Sequence, residues 1–133
     1  KIKAILGVGD LETLRNVAKA SLVCMMAGAD FIKTSTGKES INANLNNSLV
    51  MLRMIRDFYT KTGKKIGFKP AGGISTAKSV LEFLILVAEE LGFEWVNPKL
   101  LRIGASSLLI DIERQLYHYT SGRYANKEKL AIG

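Results

Sequence analysis

Lys33, Lys69 and Gly104 close three apolar runs (FIK, GFK and RIG) that recur 36 and 35 residues apart, each followed by small residues and then by a helical pattern. A period of that length, holding one strand and one helix, leaves few folds open. The first unit begins with KIKAILGVG, residues 1 to 9, which alternates like a strand. Asp10 can then cap a helix running through LETLRNVAKASLVCMMA to Gly28, with Leu11, Leu14, Val17 and Ala18 at helical spacing. FIKTST (31 to 36) is the second strand and NSLVMLRMIRDFYTK (47 to 61) the second helix. Its buried side is expected from Val50, Leu52, Met54, Ile55 and Phe58, and its stop from Gly63. KIGFKPA (65 to 71) precedes a helix from Thr76 to about Leu91, stopped by Gly92; LLRIGA (100 to 105) precedes SSLLIDIERQLYHY (106 to 119) and Gly122.

Strict alternation implies an α/β fold with a parallel sheet and right-handed crossovers, either an open doubly wound sheet or part of a barrel. With no Pro/Ser-rich linker, residues 1 to 133 read as a single domain; RYANKEKLAIG, from residue 123, lacks a period and is expected to be a flexible tail. An apolar content of 47% is that of a globular chain. SLVCMMAGA and VLEFLILVA are too short to cross a bilayer, and no leader-like segment opens the chain, so a soluble, unexported protein is expected. Cys24, the sole cysteine, excludes an internal disulfide or thiolate cluster and reads as a core residue. The net charge of +7 favours anionic partners: a phosphorylated metabolite, a nucleic acid or an acidic surface. Arg102, Arg114, Arg123, Lys127 and Lys129 are the cations a nucleic-acid module would use, but the aromatics sit mostly at apolar periodic positions and no nucleic-acid signature appears.

In both candidate folds ligands collect at the carboxyl ends of the strands. Those ends are polar, small or cationic here: Lys33 then TSTGK, Lys69 then PAGG, Gly104 then ASS. Neighbouring strands lie ~4.8 Å apart, so two lysines at matching strand positions have adjacent ammonium groups if both point to one side. Each disfavours the other's charge, and a desolvated lysine that loses its proton becomes a nucleophile able to form a Schiff base. The plainer alternative is that both snorkel into solvent. The glycine-rich turns let the backbone approach a ligand closely, and AGGIST and GASS lead into helix N-termini that favour an anion, phosphate above all. Singly each is weak, since a Gly-Gly pair is commonly a plain turn and Ser106 or Ser107 can serve as an N-cap.

FIKTSTGK, GFKPAGGI and LRIGASSLL, in this order and spacing, resemble the last three strands of the deoxyribose-phosphate aldolase family, and SLVCMMAGADFIKTSTGKES is similar to its eukaryotic branch. The resemblance implies that the four consecutive βα units form the second half of a TIM (β/α)8 barrel, strands 5 to 8. It implies a class I lyase that cleaves 2-deoxy-D-ribose 5-phosphate to glyceraldehyde 3-phosphate and acetaldehyde without a metal or organic cofactor. By motif, Lys33 is the Schiff-base lysine and Lys69 the second lysine that keeps it reactive. The phosphate contacts fall on Gly37 and Lys38, on Gly72 and Gly73, and on Gly104, Ser106 and Ser107. A cytoplasmic homo-oligomer is implied as well.

Three departures accompany the resemblance. The first four βα units of the family barrel have no counterpart in this sequence. With them goes the family's strand-borne aspartate, and Asp10, Asp30, Asp57 and Asp111 do not match its motif. Ser75 stands where the family commonly has arginine. A four-stranded sheet cannot close, so the missing half barrel is the expected partner, from a longer enzyme or from a second copy of the chain, and the chain alone is expected to be incomplete and inactive; the alternative is a non-catalytic half barrel that keeps the motifs without turnover. Elsewhere, His118 reads as a surface or packing residue, Trp95 as an anchor for the connection into the fourth strand, and EELGFE (89 to 94) as a solvated helix end. Tyr124 aligns with no motif.

Overall fold

The computed structural model describes residues 1 to 126 and residue 130. Strands β1 (Lys3–Ile5), β2 (Phe31–Lys33) and β3 (Gly67–Lys69) form a parallel sheet in sequence order. Helices α1 (Leu14–Met26), α2 (Leu45–Thr62), α3 (Ala77–Leu91) and α4 (Leu108–Ser121) follow the successive units, and each packs on the next. Right-handed crossovers that always step the same way put their helices on one face. The strand order never reverses, as it does at the switch point of a doubly wound sheet.

The two faces differ in chemistry because side chains alternate along each strand. Ile32 and Phe68, paired in register, are fully buried with Val17, Met25, Met51, Leu52, Ile55, Val87 and Trp95 in one core. The other face carries the rows Lys3–Phe31–Gly67 and Ile5–Lys33–Lys69. Gly67 is required there, since a Cβ would overlap the ring of Phe31. Lys3 Nζ and the Arg102 guanidinium lie 5.5 and 5.7 Å from that ring's centroid.

The fourth strand expected at 100 to 105 is present only as two isolated bridges, Phe68 to Leu101 and Ala71 to Gly104. Its ladder bonds run on either side of a gap: Phe68 N to Leu100 O at 2.8 Å, Arg102 N to Phe68 O at 3.1 Å, then Gly104 N to Pro70 O at 2.8 Å. The donor missing between them is the nitrogen of Pro70, which has no hydrogen to offer the Arg102 carbonyl. Backbone bonds continue briefly past β1, from Leu6 N to Lys33 O and from Val8 N to Thr34 O, whereas side chains take over between the segments that follow β2 and β3. Past β2, the Thr34 hydroxyl accepts from Ala71 N at 3.0 Å and Ser35 Oγ donates to Ala71 O at 2.7 Å.

Asp10 is not the cap of α1; Thr13 is, accepting from Asn16 N at 3.2 Å, while Asn16 Nδ2 ties back to Leu11 O. The helix therefore starts later, Leu14 is 47% exposed, and the buried stripe is Val17, Ser21 and Met25. Asn44 caps α2 through Asn47 N, placing its start at Leu45. Thr76, Gly92, Gly63 and Gly122 bound their helices as the sequence suggests, although α4 begins at Leu108 rather than residue 106. Cys24 is half-buried against the core. Trp95 is buried, donates Nε1–H to Ile66 O at 3.0 Å, and meets Tyr59 edge-on. Glu90 is not solvated, since Arg56 holds its carboxylate at 2.8 Å. The sequence expectation of a flexible tail falls partly on residues 127 to 129 and 131 to 133, outside the described residues.

Gly67→Ala forces a methyl group into the Phe31 ring and is expected to lower stability by ~1 to 3 kcal/mol in urea denaturation, as overpacking does. Adding Phe31→Leu should restore part of that loss.

Candidate active site

Parallel pairing sets Lys33 directly opposite Lys69 at the carboxyl ends of β2 and β3, on the face turned away from the helices. Continuing the Phe68 to Leu101 register by one residue brings Arg102 beside Lys69. The loops leaving these strands bend over the same end of the sheet. Together they form a cleft of about 570 Å³ lined by Lys33, Gly37, Lys38, Lys69, Gly72, Gly73, Gly104, Ser106 and Ser107. Every site residue singled out from the sequence is therefore in one place. Thr36, Ile74 and Ile103 also line it. Sequence reasoning missed them because a lone threonine in a loop, or an isoleucine near an apolar run, carries no signal of its own.

The cleft is cationic. Among the described residues three lysines line it and no carboxylate does. The amine of Lys69 is held below the ordinary lysine value of 10.5, chiefly because burial penalises its charge, and further by the positive charges of Lys33, Lys3 and Arg102. Three of the four aspartates are engaged elsewhere. Asp30 accepts from Ile2 N at 2.7 Å and Asp111 from Ala77 N at 2.7 Å; Asp57 lies 3.9 Å from Arg56.

Backbone amides supply the anion-binding capacity, though not all where the sequence suggests. The start of α3 is already occupied: Ala77 N donates to Asp111, and Ser79 N to the Thr76 hydroxyl. Its dipole is therefore answered within the protein. The amides of Gly37, Gly73, Ser106 and Ser107 donate to no protein atom among the described residues. Ser107 occupies the N-cap position of α4, yet its side chain makes no capping bond, so its hydroxyl remains free to meet a ligand. Gly37 and Gly72, with φ of 95° and 87°, hold left-handed conformations that a side chain would strain.

The remaining candidates lie elsewhere. Arg114 sits over Tyr124, and Tyr124 stacks on His118 with ring centroids 4.1 Å apart, so this histidine packs as expected. Lys127 and Lys129 are outside the described residues. Among the described residues there is no cluster of three or more His, Cys, Asp or Glu fit to hold a metal, and no helix long and apolar enough to cross a membrane.

Comparison with known proteins bears on the family and the fold. A family model described as DeoC/LacD family aldolase matches residues 7–109. Deoxyribose-phosphate aldolase of Mus musculus is 67% identical over 124 residues, and that of Homo sapiens 65% identical over the same length. Each alignment covers 93% of this chain, which spans 39% of the length of either relative. A crystal structure from Toxoplasma gondii ME49, at 24% identity, superposes with a TM-score of 0.77 over 88% of this chain and 45% of that one, a likeness of fold. The aldolase QR15, at 26% identity, superposes with a TM-score of 0.57 over 90% of this chain and 45% of its own.

Because the folded pKa of Lys69 lies below its unfolded value, the unfolded chain binds more protons between the two, and stability rises with pH through that window toward 10.5. Lys69→Met should therefore be more stable than the parent at pH 7, with the difference shrinking as pH climbs. Paired urea titrations across pH check this, and a difference that stays constant or grows contradicts it.

Proposed function

The chain belongs to the DeoC/LacD aldolase family, and from that premise we propose that it is the Schiff-base and phosphate-binding part of a class I deoxyribose-phosphate aldolase. The observation that carries the reading is the pairing of Lys33 with Lys69 inside a cleft rimmed by glycine- and serine-rich loops. Residues 1 to 133 are then one partial domain, strands 5 to 8 of an eight-stranded barrel. The sequential strand order and single helix layer support this, since an arc of a barrel needs both. The face bearing the two lysines is the barrel interior, and the preceding half barrel is the partner that closes it.

The free amine of Lys33 attacks the aldehyde carbon of 2-deoxy-D-ribose 5-phosphate, and loss of water leaves an iminium ion. That cation is an electron sink. The bond between C2 and C3 breaks, its electron pair moves toward the iminium, and the C3 hydroxyl gives up its proton as glyceraldehyde 3-phosphate forms. The remaining enamine takes a proton at carbon and is hydrolysed to acetaldehyde, freeing Lys33. Lys69, one strand away, acts by charge and by proton exchange. Lys38, the Ser106 and Ser107 side chains and the amides of Gly37, Gly73, Ser106 and Ser107 hold the phosphate and so orient the carbonyl, while Gly104, whose amide is tied to Pro70 O, lets the backbone approach closely. Among the described residues the cleft lining contains no carboxylate, and the proton relay is assigned to the preceding half barrel.

Borohydride reduction in the presence of acetaldehyde should add one reduced two-carbon adduct at Lys33, read by peptide mass mapping. Lys33→Ala that traps aldehyde as fast as the parent overturns the assignment. Turnover of the sugar phosphate by these 133 residues alone should fall ~10²- to 10⁴-fold below that of a chimera placing them behind the preceding part of the mouse relative, the usual worth of a general acid–base group. Ser75→Arg, adding a bidentate phosphate partner to the rim, should tighten capture of the phosphorylated sugar by about tenfold.

A further inference from the structure

We propose that Asn42 is a positioning residue for phosphate, a strut that fixes the loop after β2 against the loop after β3. The inference rests on the phosphate cradle proposed above and adds what holds that cradle in shape. Asn42 does not line the cleft, so it acts through the backbone it supports. Its Nδ2 donates to Glu39 O at 2.7 Å, closing the β2 loop on itself. Its Oδ1 lies 2.9 Å from Ser35 Oγ, which also lies 2.7 Å from Ala71 O and shares its one proton between the two acceptors. One side chain thus joins both ends of the β2 loop and, through Ser35, the residue before Gly72.

The contact with Gly72 is also steric. A Cβ on Gly72 would lie 2.6 Å from Asn42 Cβ, so the asparagine occupies the space that any other residue at 72 would claim. On the far side, a Cβ added to Gly37 would lie 3.7 Å from Gly72 Cα, which makes this the place where the two loops meet backbone to backbone. The amides of Gly37 and Gly73 flank that meeting point. An anion held by both loops needs them at one fixed separation, and small displacements of such donors weaken binding steeply. Glu39 contributes from the same loop, accepting from Thr36 N at 2.8 Å and so steadying the residue before Gly37.

Both the amine and the cradle are in this chain, so imine capture by the full 133 residues tests the idea without turnover. Borohydride trapping at Lys33 is measured against concentration for 2-deoxyribose 5-phosphate, 2-deoxyribose and acetaldehyde. Asn42→Ala should raise the half-saturating concentration of the phosphorylated sugar about tenfold, while the two phosphate-free aldehydes shift by less than about twofold. Ser35→Ala should do the same, and the double variant should be no worse than either single one, as expected when two residues act as a unit. Should Asn42→Ala fail to fold, Ser35→Ala alone carries the comparison. Equal shifts for all three aldehydes mean a merely structural role, and no shift in any means no role; either result overturns the proposal. A parent protein that captures phosphorylated and unphosphorylated sugars alike removes the cradle and this inference together, whereas absence of any imine at Lys33 removes the aldolase reading first.

Discussion

The constraint on which the rest depends is the parallel register of β2 and β3. It sets two lysines side by side, on one face and at one end of the sheet. Parallel pairing fixes the chemistry twice over. Side-chain alternation sends Ile32 and Phe68 into the helical layer whenever Lys33 and Lys69 face away from it, so burying the core necessarily unites the amines. The common strand direction brings the loops that follow both lysines to the same rim. A slip of one residue would turn one lysine to the helical side and separate the amines, although the loops would still leave from the same rim.

The loops then convert a sheet end into a cleft. Thr34 and Ser35 are fully buried hydroxyl residues immediately beyond β2, and both spend their hydrogen bonds on Ala71 in the next unit. They satisfy polar backbone at Ala71 that has no ladder partner on that side; of the glycines beyond, Gly72 donates to Gly104 O, while Gly37 and Gly73 keep unoccupied amides at the rim among the described residues. Pro70 has the complementary effect on the other edge of β3. By withholding a donor it interrupts pairing where the chain turns toward the cleft, while the bonds on either side keep the fourth segment in register.

Much of this was legible in the sequence because it follows from period and position. Four βα units, the helix stops at Gly63, Gly92 and Gly122, and the gathering of the lysines with the glycine-rich turns all come from spacing. The failures have local causes. Asp10 and Thr13 are both good caps, and only the tie from Asn16 to Leu11 shows which one wins. The ladder break at Pro70 depends on which edge of β3 its nitrogen faces. Asp111 satisfies the start of α3 from a helix 34 residues away, which no local pattern reports. Asn42 lies in a loop without periodicity, and its importance appears only once Gly72 is seen against it.

The face turned away from the helices has one more effect. Lys3, Lys33, Lys69 and Arg102 give it a dense positive charge. Like charges gathered on one face oppose the approach of a second copy of that face at the encounter distance. The same lysines that line the cleft thus act as a guard against self-association. That guard is colloidal in nature and weakens with added salt, since the screening length falls to about 3 Å at 1 M.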